Sequence, residues 1–554
     1  MIPAGVDLAR NIKSVIILIK STLDQLRDIS MKKILVSLFT WVNSHNLVLI
    51  FITIYFLISV IKIEHPGVNN DQLMFVNAAT FNPDNFFLWK SFNGLPIMVF
   101  PYIGALKSYI YMPIFYLFGV NILSIRLPHI IIISISLFIL YKTLRGFFDK
   151  KTALICVLFL SLDPSLISYS RADNGPTVLE FFLKILSIYL LSLYLKTKNI
   201  YYFLGIYIIL ALGIFNKINF IWFANSLIIS FLIIYGKTFH NNLKHFGRFI
   251  SLLLIGFPTY FLLRFFFKLS RETALSYKHF TSEVSLINII RNFPIFISNL
   301  SDLTNGTLFY QTIYGYDPTP LGILFSLLIL IIVLAGAILI FKQSNHFRFL
   351  TLVVILISLQ ILLTKRAVSA WHILVLSPFP TILLSIGYVK IYSFCKNIHL
   401  KIMLTFLIIF LATYQLVVNG LYLIKYSQPT KLIAWSSAIY PLINYTKNYP
   451  VKFVCLDVDI CNQLLSFNQE TEKYIEPFSF LDAHTYGATL VNLSKNFKKT
   501  DEYLYIAHAD ENSHFISAKL EFLKFLRDSN INYRIIKDFK DGETVIFEIY
   551  KLNI

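Results

Sequence analysis

Long apolar runs recur along most of this 554-residue chain, and they limit its possible folds more than any other feature. A helix of about 20 apolar residues crosses the roughly 30 Å hydrocarbon core of a bilayer. Hydrophobic residues make up 56% of the chain and charged residues only 14%, whereas a soluble protein carries about 25% charged residues. These features predict a polytopic α-helical membrane protein.

The apolar runs predict about eleven spans. We place them near residues 46–63, 124–142, 152–168, 176–195, 200–215, 218–235, 249–267, 321–341, 349–363, 373–389 and 402–424. A further stretch at 109–120 is too short to cross a bilayer, and it predicts a helix that dips into the membrane. Two of the loops predicted to face outward are long, at 64–108 and 268–319.

Basic residues in the short loops predict the orientation of the chain. At least two Lys or Arg residues occur in each of the loops 142–151, 196–198, 236–248, 342–348 and 390–401. The positive-inside rule therefore places these loops and the N-terminus in the cytoplasm. Residues 1–45 are also basic and predict an interfacial amphipathic helix. An odd number of spans then places the C-terminal domain on the opposite side of the membrane, outside the cytoplasm.

The net charge of +19 is concentrated in the membrane part of the chain. Residues 425–554 carry 15 Lys/Arg and 16 Asp/Glu, which leaves 34 basic and 14 acidic residues in the first 424. A basic excess beside membrane spans is typical of topology signals and of contacts with lipid headgroups. The charge therefore predicts membrane lipids as partners and not a nucleic acid.

Residues 425–554 differ in composition from the spans and predict a C-terminal extracytoplasmic α/β domain. The β-rich runs VKFVCLDV, EYLYIAH, YRIIKDF and TVIFEIY alternate with a helical run, FISAKLEFLKFLRD. Lys540-Asp541-Gly542 predicts a turn between the last two strands. Cys455 and Cys461 lie six residues apart, and outside the cytoplasm they either form a disulfide or stay as free thiols.

Ionisable residues of the membrane domain, residues 46–424, gather in the loops predicted to face outward. Because charges at membrane depth are costly, such a set usually lines a cavity or pairs internally. Cations suit a phosphate group, a carboxylate suits general-base activation of a hydroxyl or amine, and apolar walls suit a lipid chain. Together these parts predict transfer of a group from a lipid phosphate to an acceptor. The set comprises Asp71, Asp84, Lys90, Lys107, Asp163, Arg171, Asp173, Lys217, Lys365, Arg366 and His372.

Several stretches resemble the polyprenyl-phosphate-sugar glycosyltransferases of the GT-C superfamily. They are Asp71 after the first span, PYIGALKSYIYMPIFYLFGVNILSIRLP, RADNGP and the FNK turn. Within that superfamily, the chain resembles in particular the protein O-mannosyltransferases and the aminoarabinose transferase of lipid A. The resemblance implies GT-C architecture and transfer of a sugar from a polyprenyl-phosphate donor to a lipid, glycan or protein acceptor.

The resemblance implies that Asp71 is the catalytic base, or the group that positions the acceptor, in an inverting transfer. Relatives often carry Asp-Glu at this place, whereas this chain carries Asp71-Gln72. The missing second acid and the sparse carboxylates imply a reaction that uses no metal ion and no other cofactor. The structural alternative for Asp71 is a helix N-cap, a position that aspartate favours.

Eight further residues are candidates for contact with the substrate, and several have a structural alternative. Lys107 and Lys217 could instead anchor at the membrane interface. Arg171 and Asp173 could form a local ion pair, and Asp163 could cap a short helix. The eight candidates are Lys107, Asp163, Arg171, Asp173, Lys217, Lys365, Arg366 and His372.

Two other functions stay open: a flippase or transporter for a lipid-linked sugar, and a noncatalytic membrane scaffold. A transporter needs charges in mid-span and broken helices in both halves. Glu180 and Lys184 enter the fourth predicted span, whereas the other candidates collect at one face. A scaffold needs no groove behind the first loop. The one-sided set of charges favours an enzyme that is open to one side of the membrane.

Overall fold

The fold is mostly helical, with a mixed β-sheet near the C-terminus. The computed structural model describes residues 46–80, 90–100, 102–242, 284–314, 319, 321–365, 369–426, 428, 435–457, 460–475, 503–509 and 516–553. The predicted fold class, a polytopic helical membrane protein with a C-terminal α/β domain, is confirmed. Residues 1–45, the span predicted at 249–267, Asp84 and Arg366 lie outside the described residues.

Helices occupy every predicted span that falls within the described residues. In chain order, the described elements of the membrane domain are α1 (Asn46–Val60), α2 (Asn70–Ala79), β1 (Lys90–Phe92), β2 (Leu95–Phe100), β3 (Ile103–Gly104), α3 (Leu106–Phe118), α4 (Ile122–Phe147), α5 (Lys150–Leu162), α6 (Pro164–Arg171), α7 (Thr177–Thr197), α8 (Ile200–Asn216), α9 (Ile221–Asn242), α10 (Leu286–Asn305), α11 (Leu308–Tyr314), α12 (Gly322–Ile340), α13 (Asn345–Leu363), α14 (Ala370–Ile373), α15 (Phe379–Phe394) and α16 (Ile398–Lys425). A 3₁₀ turn at Ile218–Phe220 precedes α9, and another at Leu374–Leu376 follows α14.

The predicted number of eleven spans is not confirmed. Among the described helices, six are long and apolar enough to cross a membrane, or up to eight if each of two bent pairs is one span. The bent pairs are α5 with α6, and α14 with α15. The shorter helices α1 and α8 are apolar but fall below the length of a full span.

The break between α5 and α6 is built by Asp163 and Pro164. The two helices differ in direction by 56°. The Asp163 carboxylate accepts hydrogen bonds from the backbone N–H groups of Ser165 and Leu166, at 2.9 and 3.3 Å. Pro164 is the first residue of α6, where the missing N–H has no helical partner to lose. Asp163 therefore caps a short helix, which is the structural alternative that the sequence offered.

The first loop folds into α2, a small antiparallel sheet in the order β1-β2-β3, and α3. The sequence analysis did not predict this sheet, because its strands are only two to six residues long. α3 at Leu106–Phe118 corresponds to the predicted membrane-dipping helix.

The C-terminal domain forms one five-stranded sheet flanked by helices. Its described elements are α17 (Ile439–Asn448), β4 (Lys452–Cys455), α18 (Ile460–Asn468), β5 (Tyr474–Ile475), β6 (Tyr503–His508), α19 (Ile516–Asp528), β7 (Asn532–Asp541) and β8 (Thr544–Asn553). The strand order is β5-β4-β6-β8-β7, in which β5, β4 and β6 are parallel and the remaining pairs antiparallel. The four predicted strands and the predicted helix are all present. Cys455 and Cys461 form a disulfide.

The first loop and the C-terminal domain share one hydrophobic core. Leu73 and Phe75 of α2 belong to the same buried cluster as Phe453 of β4 and Leu464 of α18. At the entry to the loop, Gly67 donates its N–H to the carbonyl of Trp435 at 2.8 Å. A Cβ at Gly67 would lie 2.0 Å from the carbonyl oxygen of Ser436, so only glycine permits this approach. The C-terminal domain is therefore packed onto the loop that carries Asp71.

Two glycines let α12 and α15 cross closely, and they provide a test of the helix packing. A Cβ built on Gly336 would lie 2.2 Å from the Cα of Gly387, and close helix contacts in membranes commonly use small residues. We predict that Gly336→Val lowers the thermal unfolding temperature in detergent, because overpacking costs about 1–3 kcal/mol. Gly420→Ala in α16 is the control, since nothing lies within 4 Å of its added Cβ. Equal unfolding temperatures for the two variants would contradict the crossing.

Candidate active site

Asp71 lies in the first turn of α2, and its carboxylate makes no structural contact with the described residues around it. The N-cap of α2 is Asn69, whose side-chain oxygen accepts the N–H of Asp71 at 2.8 Å. Asp71 itself is half-buried, while the following residues of the helix are buried. Within the described part of the chain, its carboxylate makes no hydrogen bond or ion pair. Asp71 is therefore not the cap of its helix.

The surroundings of Asp71 favour a basic carboxylate. Burial raises the pKa of Asp71, and the positive charges of Lys217 and Lys107 partly offset this effect. Tyr102 belongs to the same neighbourhood. Burial raises the pKa of its phenol, and the negative charge of Asp71 raises it further. A carboxyl group with a raised pKa is a better proton acceptor than an ordinary one near neutral pH.

Lys217 reaches this neighbourhood because the FNK turn packs against the first loop. Lys217 lies between α8 and the 3₁₀ turn, where the backbone is extended. The N–H of Ile218 donates to the carbonyl of Tyr102 at 3.1 Å. A Cβ at Gly104 would lie 2.3 Å from the carbonyl oxygen of Phe215, so the turn and β3 are in direct contact. These contacts hold the turn against the strand that leads from Tyr102 to α3.

The Lys217 side chain is buried at 7% exposure, and its ammonium makes no hydrogen bond or ion pair with the described residues. Its charge also acts on Lys184 and His372, besides Asp71. An ammonium that makes no contact with a protein acceptor can bind an anionic ligand. Lys217 is therefore the best-placed cation for a phosphate among the candidates that the structure describes.

Lys107 and Asp173 form a buried ion pair, with 2.9 Å between Nζ and Oδ2. Lys107 also donates to the carbonyl oxygens of Asp173 and Gly175, at 3.1 and 2.8 Å. The other oxygen of Asp173 accepts from the backbone N–H groups of Thr177 and Val178 at the start of α7. The pair joins α3 to α7, and each charge of the pair is neutralised by the other.

Arg171 lies with its guanidinium at the end of α1. It donates to the carbonyl oxygens of Ile61 and His65, at 2.6 and 3.0 Å. Its guanidinium carbon lies 4.5 Å from the ring centroid of Tyr426. Arg171 therefore anchors the start of the first loop. The local ion pair with Asp173 is not formed, because Asp173 pairs with Lys107 instead.

The last candidates lie in the loop that follows α13. Lys365 is partly buried directly after that helix. His372 lies in α14, where its Nδ1 is 2.8 Å from the hydroxyl of Ser369. Its ring packs edge-on against Trp222, with 5.8 Å between the ring centroids.

Gln72, which stands where relatives often carry a second acid, points into the protein. It is fully buried, and its side-chain oxygen lies 3.4 Å from Nη2 of Arg126. Its amide nitrogen donates to the carbonyl of Arg171 at 3.4 Å. Gln72 thus fixes α2 to the helix bundle. Asp71, the neighbouring residue, remains half-buried.

Sequence analysis missed Arg126 and Tyr102 as residues of this neighbourhood. Arg126 is fully buried, and it donates to the carbonyl oxygens of Ile63 and Gly67 at 2.6 and 3.2 Å. A lone arginine at the start of the apolar run ILSIRLPHIIII was a usable signal, because a charge there needs a partner. Nothing in the sequence distinguishes Tyr102 from the other tyrosines of the chain.

Comparisons with known proteins bear on the family resemblance and on the fold. Residues 105–261 match the family model of dolichyl-phosphate-mannose-protein mannosyltransferases. No protein of curated function matches the sequence. The fold is similar to ArnT from Cupriavidus metallidurans bound to undecaprenyl phosphate, at 12% identity and a TM-score of 0.57, over 92% of this chain and 98% of that one.

The apo structure of the same ArnT gives a TM-score of 0.57 at 10% identity, over 93% of this chain and 98% of that one. The matched segment contains Lys107, RADNGP and the FNK turn, which carried the resemblance in the sequence. The resemblance is confirmed: this chain is a multi-pass membrane protein with the fold of the GT-C glycosyltransferases.

Proposed function

We propose that the chain transfers a sugar from a polyprenyl-phosphate donor to a lipid, glycan or protein acceptor at the outer face of the membrane. One observation carries the proposal. The side chains of Asp71 and Lys217 make no hydrogen bond or ion pair with the described residues, and their opposite charges interact with each other. The mannosyltransferase family match and the fold of an ArnT that binds undecaprenyl phosphate support the same class of donor.

In the proposed reaction, Asp71 accepts the proton of an acceptor hydroxyl or amine. The nucleophile forms a bond to the anomeric carbon of the sugar, and the bond from that carbon to the phosphate oxygen breaks. The electron pair of the broken bond leaves with polyprenyl phosphate. Lys217 stabilises the negative charge of this leaving group. Attack opposite the leaving group inverts the anomeric centre.

The remaining candidates divide into two groups in this proposal. Lys107, Asp173 and Arg171 position the first loop, because each of their charged groups contacts a protein partner. Asp163 shapes the break between α5 and α6. Lys365, Arg366 and His372 stay candidates for contact with the phosphate or the sugar. The apolar chamber for the prenyl chain, predicted from the sequence, is part of the proposal.

We further propose that the C-terminal domain faces the periplasm of a bacterial inner-membrane protein. The disulfide between Cys455 and Cys461 supports this placement, because disulfides persist in oxidising compartments. The two broken helix pairs would suit a transporter as well. However, the mid-span cation Lys184 donates to the carbonyl oxygens of Leu374, Val375 and Ser377, so it stabilises one of the breaks. An enzyme therefore fits better than a flippase.

The role of Asp71 is tested by Asp71→Asn in purified full-length protein. We expect transfer from radiolabelled undecaprenyl-phosphate sugars to extracted membrane acceptors to fall about 100- to 10,000-fold, the usual contribution of a general base. Binding of undecaprenyl phosphate should persist. In the wild type, kcat/KM should fall as the pH drops through the raised pKa of Asp71, because only the ionised carboxylate accepts a proton.

Asp538→Asn removes an exposed carboxylate of β7 and serves as the matched control. It should transfer at the wild-type rate. The base assignment is wrong if the Asp71 variant folds, binds undecaprenyl phosphate and transfers as fast as this control.

Lys217→Met and Lys107→Met separate a ligand-binding cation from a structural one. Lys217→Met should weaken undecaprenyl phosphate binding about 10- to 100-fold, since a hydrogen bond to a charged group contributes about 1.5–3 kcal/mol. Its unfolding temperature should stay about the same, because the change breaks no hydrogen bond or ion pair with the described residues. Lys107→Met should instead destabilise the protein by about 3–5 kcal/mol, since it leaves Asp173 buried without its cation. The reverse pattern would contradict the assignment.

Metal independence is tested by incubation with EDTA followed by the same transfer assay. We expect unchanged transfer, because Gln72 replaces the second acid that a metal site beside Asp71 would use. Loss of activity that is restored by added Mg²⁺ or Mn²⁺ would contradict this part of the proposal.

A further inference from the structure

One residue of the C-terminal domain, Asn462, holds both ends of the helix that carries Asp71. Its side-chain amide donates to the side-chain oxygen of Asn70, the first residue of α2. Asn77, near the other end of α2, donates to the side-chain oxygen of Asn462 and to its carbonyl oxygen, the latter at 3.1 Å. All three asparagines are buried. They form an amide chain between the domain and the helix.

The positions of Asn70 and Asn77 decide what this amide chain can control. Residues seven apart lie on one face of an α-helix, two turns from each other. A contact that joins both positions fixes the rotation of the helix about its axis. Asp71 follows Asn70 by one residue and is turned by about 100° around the helix. The amide chain therefore determines the direction in which the carboxylate of Asp71 points.

The helix that carries Asn462 is itself firmly anchored. The disulfide from Cys461, the neighbouring residue, ties the start of α18 to the end of β4 at Cys455. Further along α18, Gln463 and Ser466 donate to carbonyl oxygens of Val68 and Leu73, at 3.4 and 3.5 Å. Leu464 lies in the core that the domain shares with α2. Asn462 is thus a fixed point against which α2 is aligned.

We propose that Asn462 is a positioning residue for the reaction: it sets the rotation of α2 so that Asp71 faces Lys217. This inference rests on the proposed function. It assigns the C-terminal domain a part in the catalytic centre, in addition to any part it has in binding the acceptor. The domain does so through buried amide contacts and without touching the reacting atoms.

The first test is hydrogen–deuterium exchange of residues 70–79 in full-length Asn462→Ala, reconstituted in lipid nanodiscs. We expect faster exchange in this helix than in wild type, because Asn70 loses its partner and Asn77 keeps only the backbone carbonyl of residue 462. kcat should fall about 100-fold, the effect of a displaced catalytic group. Binding of undecaprenyl phosphate should be unchanged, since Lys217 is untouched. Unchanged exchange and unchanged kcat would overturn the proposal.

Two further variants keep this test decisive. Asn448→Ala, at an exposed position at the end of α17, is the matched control and should behave as wild type. Asn77→Ser removes the contact between Asn77 and the side chain of Asn462 and leaves α18 intact, so it replaces Asn462→Ala if that variant fails to fold. It should show the same faster exchange, and exchange equal to that of wild type would overturn the proposal.

Asn462→Asp tests positioning through the pH profile. The new carboxylate lies beside the first turn of α2, and its negative charge disfavours ionisation of Asp71. The acidic limb of kcat/KM should therefore move to higher pH in Asn462→Asp. An unmoved limb in Asn462→Asp would contradict the assignment. If wild type transfers no sugar, the proposed function fails, and the exchange experiment still decides whether Asn462 holds α2.

Discussion

The buried ion pair between Lys107 and Asp173 is the contact on which the geometry of the site depends. It ties α3 of the first loop to the start of α7, inside the helix bundle. Because these two charges neutralise each other, their role is to stabilise the fold. Two other charges, those of Asp71 and Lys217, are left without protein partners among the described residues. Since Lys107 and Asp173 are paired with each other, the lack of such partners at Asp71 and Lys217 points to a role in binding or catalysis.

Asp71 lies on a short helix at the membrane surface, a place where a helix alone would be mobile. Two opposite supports remove that freedom. On the bundle side, α3 and Gln72 fasten α2 to α4 and α7, and Ser108 donates to the carbonyl of Phe75 at 3.0 Å. On the other side, α18 of the C-terminal domain contributes Asn462 and an apolar face. A general base needs this kind of fixed orientation, because catalysis depends steeply on geometry.

The sequence predicted the features that depend on local pattern or on bilayer energetics. Apolar runs predicted the helices of the membrane domain, alternating residues predicted the long strands of the C-terminal domain, and the scarcity of carboxylates made Asp71 a candidate. The sequence did not show which charged side chains pair with one another and which have no protein partner. Lys107 and Lys217 look alike in the sequence, and only their three-dimensional neighbours differ.

The role of Asn462 was equally hidden, since its partners lie almost 400 residues earlier in the chain. The central claim is that Asp71 and Lys217 flank an anionic leaving group. A cryo-electron microscopy structure of the full-length protein with undecaprenyl phosphate tests it most directly. The account predicts the phosphate within hydrogen-bonding distance of the Lys217 ammonium, with the Asp71 carboxylate facing the same space. A phosphate bound elsewhere, with Asp71 turned to bulk solvent, would contradict it.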